Sequence, residues 1–436
     1  MSKSFHIETY GCQMNVYDSA CISSLLIGAG MTKAESLEQA DAVIINSCAV
    51  RGHAEDRVLG RVGELKGLKT QKPGLKLVLC GCVAQEQGPA LLERFKHLDA
   101  VIGTKAYAEL PAILTRLFSD DLKQYRNDIT MIPEETGLIP DFNGQVTAHL
   151  AVMRGCNNFC SYCIVPYVRG RETSRLAPAV LEEMENLSRQ GVREITLAGQ
   201  NVNSYHWQEM NFPELLQQAC RVEGIERIRF ITSHPKDLSD ELIAVMAGRP
   251  KICKHLHLPL QAGSDRILAL MNRRYTAEHF MELIAKTRKA MPGLVLTTDI
   301  IAGFPGETED EFGQTLEMVK NIRFDAAFTY KYSERSGTNA CKLEGQIPEP
   351  EKTERLSRLI KLQQQVTIES NQADIGKTFE VLAEKESKKS NGQFMGRTEG
   401  NKTVAFISSR GLKPGQTVPV KIQKATLATL IGEVSQ

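Results

Sequence analysis

Apolar residues in the first part of the chain come in short, dense runs separated by longer amphipathic stretches. The runs FHIETYGC (5–12), DAVIINSC (41–48), KLVLCGC (76–82) and DAVIGT (99–104) are rich in β-formers. Between them lie YDSACISSLLIGAG (17–30) and AEDRVLGRVGELKGLK (54–69), with helical patterning. This βαβ rhythm predicts a small parallel sheet with covering helices over residues 1–125.

Residues 126–145 hold Pro, Gly and turn residues and read as a linker. A second α/β rhythm then begins. AHLAVMRG, REITLAGQN, RIRFITS, HLHLPL, LVLTTDIIAG and DAAFTYKY are six strand candidates, with helical stretches such as APAVLEEMENLSRQG and TAEHFMELIAKTRKAMPG between them. Six βα units within 146–370 predict a partial (β/α)6 barrel rather than the eight-fold one. The stretch EPEKTERLSRLIKLQQQVTIESNQADIG reads as one long charged helix. In 371–436, alternating runs such as KTFEVLAEK and QTVPVKIQKA between Gly-rich turns predict a small antiparallel β-barrel. The expected fold class is therefore α/β, a parallel-sheet domain and a partial barrel followed by a small all-β domain.

Composition narrows the function classes. The chain has 436 residues, 42% hydrophobic and 24% charged, enough for about two to four domains with ample core. Its net charge of +1 excludes a polycation, so any nucleic-acid binding rests on local patches. One such patch is the tail 371–436, with 10 Lys+Arg against 6 Asp+Glu. The start, MSKSFHIETYGC, lacks the apolar core of a signal peptide, and no run approaches the roughly 20 apolar residues of a membrane span. The expectation is a cytoplasmic protein without membrane contact. In that reducing compartment the eleven cysteines point to metal binding, catalysis or burial rather than disulfides.

Cys12, Cys48 and Cys82 each end an apolar run. Ligands of open α/β sheets sit beyond the carboxyl ends of strands, so these thiols can converge although distant in sequence. Cys82 is preferred to Cys80 because Gly81 precedes it, as Gly11 precedes Cys12, and glycine permits close backbone approach. Cys80 reads as a core thiol. Cys156, Cys160 and Cys163 form C-x3-C-x2-C just after the first barrel strand, where barrel sites lie. Structural zinc asks for four ligands, and haem attachment would need His where Ile164 stands. A [4Fe–4S] cluster normally takes four cysteines, so three would leave one iron open. A zinc site with a distant fourth ligand, or buried thiols, stays open as the plainer alternative. Cys21, Cys220, Cys253 and Cys341 stand alone and carry no assigned role.

The segment RGCNNFCSYCIVPYVRGRE (154–172) resembles the cluster motif of radical S-adenosylmethionine (SAM) enzymes, in which the open iron holds SAM. Over essentially its whole length the chain is similar to the methylthiotransferase family. Within it, TYGCQMNVYDS (9–19) and MRGCNNFCSYCIVPYVRGRE (153–172) resemble the branch acting on N6-isopentenyladenosine in tRNA. The resemblance implies two [4Fe–4S] clusters, one on Cys156, Cys160 and Cys163 and an auxiliary one on Cys12, Cys48 and Cys82. It also implies an RNA-binding tail of the TRAM kind. The implied reaction turns C2–H of the adenine just 3′ of the anticodon into C–S–CH3. One SAM supplies a 5′-deoxyadenosyl radical, a second the methyl group, and no catalytic residue beyond the clusters is expected.

Polar residues at later strand tips, Gln200, Asn201, Ser233, Gln261 and Asp299, are candidates to contact SAM. Arg169, Arg171 and Arg175 are candidates to hold tRNA phosphate or the SAM carboxylate. The implied partners are the isopentenylated anticodon stem-loop and an electron donor such as flavodoxin or ferredoxin, with the chain a monomer. The rival readings are methylthiolation of threonylcarbamoyladenosine or of a ribosomal protein, and a non-catalytic iron–sulfur RNA-binding redox sensor.

Overall fold

The computed structural model describes residues 2–49, 52–120, 124–126, 140–387, 392–408 and 411–435. Most of the expected linker, residues 127–139, lies outside these. The chain forms two compact units: Met1–Asn143, His149–Asn157 and Cys163–Leu187 make the first, and Gly144–Ala148, Asn158–Tyr162 and Ser188–Gln436 the second.

The first unit is built on a six-stranded sheet: β1 (Ser4–Tyr10), β2 (Thr32–Lys33), β3 (Ala42–Ser47), β4 (Lys76–Gly81), β5 (Ala100–Ile102) and β6 (Gln124–Arg126), in the order β2-β1-β3-β4-β5-β6. Every ladder is parallel. The period of two along the central strands feeds two separate cores. Val43, Ile45, Leu77, Leu79 and Val101 pack on one face, while Ala42, Ile44, Val78, Ala100 and Ile102 pack on the other. Strands buried on both faces read as continuous apolar runs, and each buried Val, Leu or Ile among them contributes about 1.5–3 kcal/mol by leaving water. Helices α1 (Gln13–Gly28), α2 (Gly52–Gln71) and α3 (Cys82–Gln87) follow β1, β3 and β4, so each begins where a strand tip ends.

The six expected strands all form, five of them within the second unit and Thr147–Ala151 divided between the two. Thr147–Ala151, Glu194–Ala198 and Arg227–Ile231 make one sheet, and His255–His257, Val295–Ala302 and Ala326–Lys331 another. A parallel bridge between Ile228 and Ile252 links the two sheets in chain order. Helices such as Ala277–Ala290 and Glu309–Ile322 alternate with the strands, and the charged stretch forms the helix Glu349–Gln372. The tail closes into a five-stranded barrel. Thr403–Ile407 and Leu430–Val434 run parallel in it, whereas the other four ladders are antiparallel. A closed ring with an odd number of strands cannot alternate direction throughout, so one parallel pair is unavoidable.

The tail barrel is fastened to strand Arg227–Ile231 by two buried arginines. Arg227 donates to the carbonyls of Glu380 and Arg397, both at 2.8 Å. Arg229 donates to those of Thr398 and Glu399 and is paired with Glu194.

Candidate functional site

Strand register places the N-terminal thiols. Tyr10 pairs with Ser47, and Ser47 with Gly81, so β1, β3 and β4 end level. Cys48 follows Ser47 directly, while Cys12 and Cys82 follow Gly11 and Gly81. Both glycines are required by space. A Cβ on Gly11 would lie 2.6 Å from the Cys48 Cβ, and one on Gly81 would lie 2.3 Å from the Ser47 carbonyl oxygen.

Asn15, in the first turn of α1, braces these tips. Its Oδ1 accepts from the Cys12 N–H and Sγ, each at 3.3 Å. Its Nδ2 donates to Asn46 Oδ1 at 3.1 Å and to the Ser47 carbonyl at 2.9 Å. Asn46 returns a bond to the Asn15 carbonyl at 2.9 Å.

The Cys12 thiol is pulled down to about 6, chiefly by a hydrogen bond with Cys48 and, against the effect of burial, by the positive charge of Arg169. Burial pushes the Cys82 thiol up, and Arg169 opposes it. Cys80 lies among Ile22, Ile44 and Ile102, with its thiol pushed well up by burial. Among the described residues no three His, Cys, Asp or Glu side chains stand grouped as a single-ion site. A [4Fe–4S] cluster sets a gentler demand, because each thiolate binds a different iron. Three level thiols, one of them readily ionised, with glycine on two approaches and a buried cation beside them, suit that anionic group.

Arg169 and Arg175 are buried and Arg171 is exposed. Arg169 Nη2 donates to Asp18 Oδ2 at 2.8 Å, and Arg154 Nη1 to Asp18 Oδ1 at 3.0 Å. Arg175 donates to Glu183 at 2.7 Å, to the Ala151 carbonyl at 2.7 Å and to the Tyr17 hydroxyl at 3.1 Å. A phosphate contact needs an accessible guanidinium, which of these three Arg171 offers; Arg169 and Arg175 are occupied internally.

The barrel cysteines lie on one continuous segment. In the first unit, Cys156 is buried and its N–H donates to the Gly170 carbonyl at 3.2 Å. Gly155 (φ +72°) has no room for a Cβ, which would lie 2.1 Å from the Arg171 carbonyl oxygen; Cys163 is half-buried. In the second unit, Cys160 Sγ accepts from Arg273 Nη1 at 3.3 Å. Its neighbours are clamped there: Asn272 Nδ2 donates to the Asn158 and Phe159 carbonyls, both at 3.0 Å, and Ser161 Oγ donates to the Leu270 carbonyl at 2.7 Å.

The loops after strands Glu194–Ala198 and Arg227–Ile231 are stitched together, with the Val202 N–H donating to the Thr232 carbonyl at 2.9 Å. They carry buried polar atoms with no hydrogen-bond partner: Gln200 Oε1, Asn201 Oδ1, Ser233 Oγ and His234 Nε2. Such atoms cost free energy unless a ligand or water meets them. Asn201 Nδ2 is committed to Asp237 at 2.7 Å.

Gln261 (φ +70°) bonds through its backbone to Asp299 and Ile301. Asp299 Oδ2 meets His257 Nε2 at 3.2 Å. Sequence reading passed over Asn15, Asp18, His234 and Arg273. Asn15 and Asp18 stand within TYGCQMNVYDS, which supplies the only local signal for them.

Comparison with known proteins completes the picture. Residues 4–103 match the model of the uncharacterized protein family UPF0004, residues 150–319 the radical SAM superfamily and residues 372–435 the TRAM domain. The chain is 46% identical to the tRNA-2-methylthio-N(6)-dimethylallyladenosine synthase of Thermoanaerobacter sp. (strain X514), over 99% of this chain and 92% of that protein. It is 45% identical to the protein of the same name from Carboxydothermus hydrogenoformans, over 99% of both. In fold it is similar to the radical SAM methyltransferase TsrM from Kitasatospora setae, with a TM-score of 0.55 at 14% identity over 76% of this chain and 72% of that one.

Proposed function

The chain belongs to the family of tRNA-2-methylthio-N(6)-dimethylallyladenosine synthases, and from that premise we infer that it adds a methylthio group at C2 of N6-isopentenyladenosine beside the tRNA anticodon. The observation that carries this reading is the level placement of Cys12, Cys48 and Cys82 on β1, β3 and β4, in a chain that also holds C-x3-C-x2-C after its first barrel strand. In this reading Cys156, Cys160 and Cys163 hold one [4Fe–4S] cluster and Cys12, Cys48 and Cys82 the other. When bound, the clusters supply reductive cleavage of SAM at the first site and sulfur at the second.

The chain's own residues bind, orient and shield. Asn15 and Asn46 fix the backbone that carries the N-terminal thiols. Arg273 holds the Cys160 sulfur in place. Gln200, Asn201 and Ser233 offer unpartnered polar atoms to the amino acid end of SAM. Gln261 and Asp299, joined by backbone hydrogen bonding, present a polar edge to the rest of it. Arg171 meets tRNA phosphate, as does the basic tail. The functional division follows residues 1–125 for the auxiliary cluster, 126–145 as linker, 146–370 for SAM and 371–436 for RNA. A flavodoxin or ferredoxin donates the electron to a monomeric, cytoplasmic enzyme.

The test is direct. The anaerobically reconstituted protein, given SAM, a reductant and an isopentenylated anticodon stem-loop, yields methylthiolated RNA by mass spectrometry. A loop bearing threonylcarbamoyladenosine stays unmodified. Product on that loop alone, or on neither, overturns the reading.

A further inference from the structure

Arg169 stands six residues beyond Cys163 in the chain, on a segment whose Ile164 and Val168 pack in one cluster with Cys82 of the N-terminal sheet. It is 6% exposed, and Asp18, its partner, is fully buried. Asp18 already serves a second cation, because its other oxygen accepts from Arg154 at 3.0 Å. Two guanidinium groups thus share one carboxylate. Arg169 Nη1 is buried and has no hydrogen-bond partner, and Val168, the residue before it, packs in the same apolar cluster as Cys82. A buried guanidinium nitrogen left without an acceptor costs free energy. A positive group held in this position has a use if the thiols beside it carry negative charge.

We propose that Arg169, held by Asp18, is the positioning residue that supplies the counter-charge to the group bound by Cys12, Cys48 and Cys82, and so sets the ease of its reduction. The inference rests on the reading of those cysteines as cluster ligands. The physical basis is general: net charge and hydrogen bonds at the sulfurs tune the potential of an iron–sulfur cluster, and neighbours that orient the ligands are part of the site. A nearby cation favours the reduced, more negative state. Arg171 and Arg175 do not share this role, since Arg171 is exposed and Arg175 is committed to Glu183.

The experiment uses the full-length chain with Cys156, Cys160 and Cys163 replaced by Ala, so that any iron reports on the N-terminal site. Iron content and the midpoint potential are measured in this parent, in Arg169→Gln and in Arg169→Lys. The expected result is that Arg169→Gln shifts the equilibrium toward the oxidised form by at least tenfold, about 59 mV for a one-electron couple, while Arg169→Lys stays near the parent. If Arg169→Gln fails to hold iron, the comparison is read as iron content, and Arg169→Lys restores it. Iron retained at an unchanged potential in Arg169→Gln overturns the inference alone, as does an Arg169→Lys chain as empty as Arg169→Gln. A parent without iron overturns the cluster reading and this inference with it.

Discussion

Gly11 and Cys48 touch across neighbouring strand tips so closely that a Cβ on Gly11 would fall 2.6 Å from the Cys48 Cβ and 2.4 Å from Asn15 Oδ1. Real Cβ atoms do not approach so near, and neither neighbour can retreat without disturbing the thiols. Gly11→Ala is expected to lower iron after reconstitution from about eight atoms per chain to about four, the complement of one [4Fe–4S] cluster. Gly60→Ala, on α2 with nothing within 4 Å of its would-be Cβ, is the control and keeps the full content. Full iron in Gly11→Ala would show that these tips do not hold a cluster.

Arg175 should matter for stability. Arg175→Ala leaves Glu183 buried without the guanidinium it accepts from at 2.7 Å and removes the donor to the Ala151 carbonyl. Breaking a buried pair in this way costs about 3–5 kcal/mol. A marked fall in the urea midpoint checks it; an unchanged midpoint would mean the pair contributes little.

The pH dependence of stability should carry a contribution from His234. Its imidazole is pulled down to about 2 by burial, with Arg273, Lys236 and Arg274 adding to the effect. The folded state therefore keeps it neutral where the unfolded chain, with its ordinary value near 6.5, binds a proton. Stability from this group is present above about 6.5 and is lost as pH falls toward 2. In His234→Gln the fall in stability between pH 6 and 4 should be shallower by about one proton. Parallel curves for the two proteins would contradict this.

RNA binding is better tested by charge than by truncation. Removing the tail would strip Arg227 and Arg229 of the carbonyls of Glu380, Arg397, Thr398 and Glu399 and disturb strand Arg227–Ile231. Lys421 and Lys424 are exposed. Replacing both by Glu should weaken binding of the anticodon stem-loop and reduce its salt slope by about 2, near one per lost phosphate contact. An unaltered slope would remove these lysines from the interface.

The sequence made strands legible wherever a periodic run met a turn, and each of the six barrel candidates formed one. It did not reveal the parallel pair in the tail barrel, which is a consequence of closure rather than of any local pattern. The candidate cysteines stood out because spacing and flanking glycines are local features. The surroundings of Arg169 and Arg175 were not. A basic run reads as surface until its partners are known, and Asp18 lies 151 residues from Arg169 in the chain. His234, with His255 and His257, was set aside because such histidines are as often structural, and its burial beside Tyr275 depends on a segment distant in sequence.

The central claim is a division of labour between two thiol sites, and product analysis of two triple variants with the isopentenylated stem-loop tests it most directly. With Cys12, Cys48 and Cys82 replaced by Ala, the protein should still cleave SAM to 5′-deoxyadenosine while making no methylthiolated RNA. With Cys156, Cys160 and Cys163 replaced by Ala, it should make neither. Methylthiolated RNA formed at the normal rate by the first variant would contradict the account.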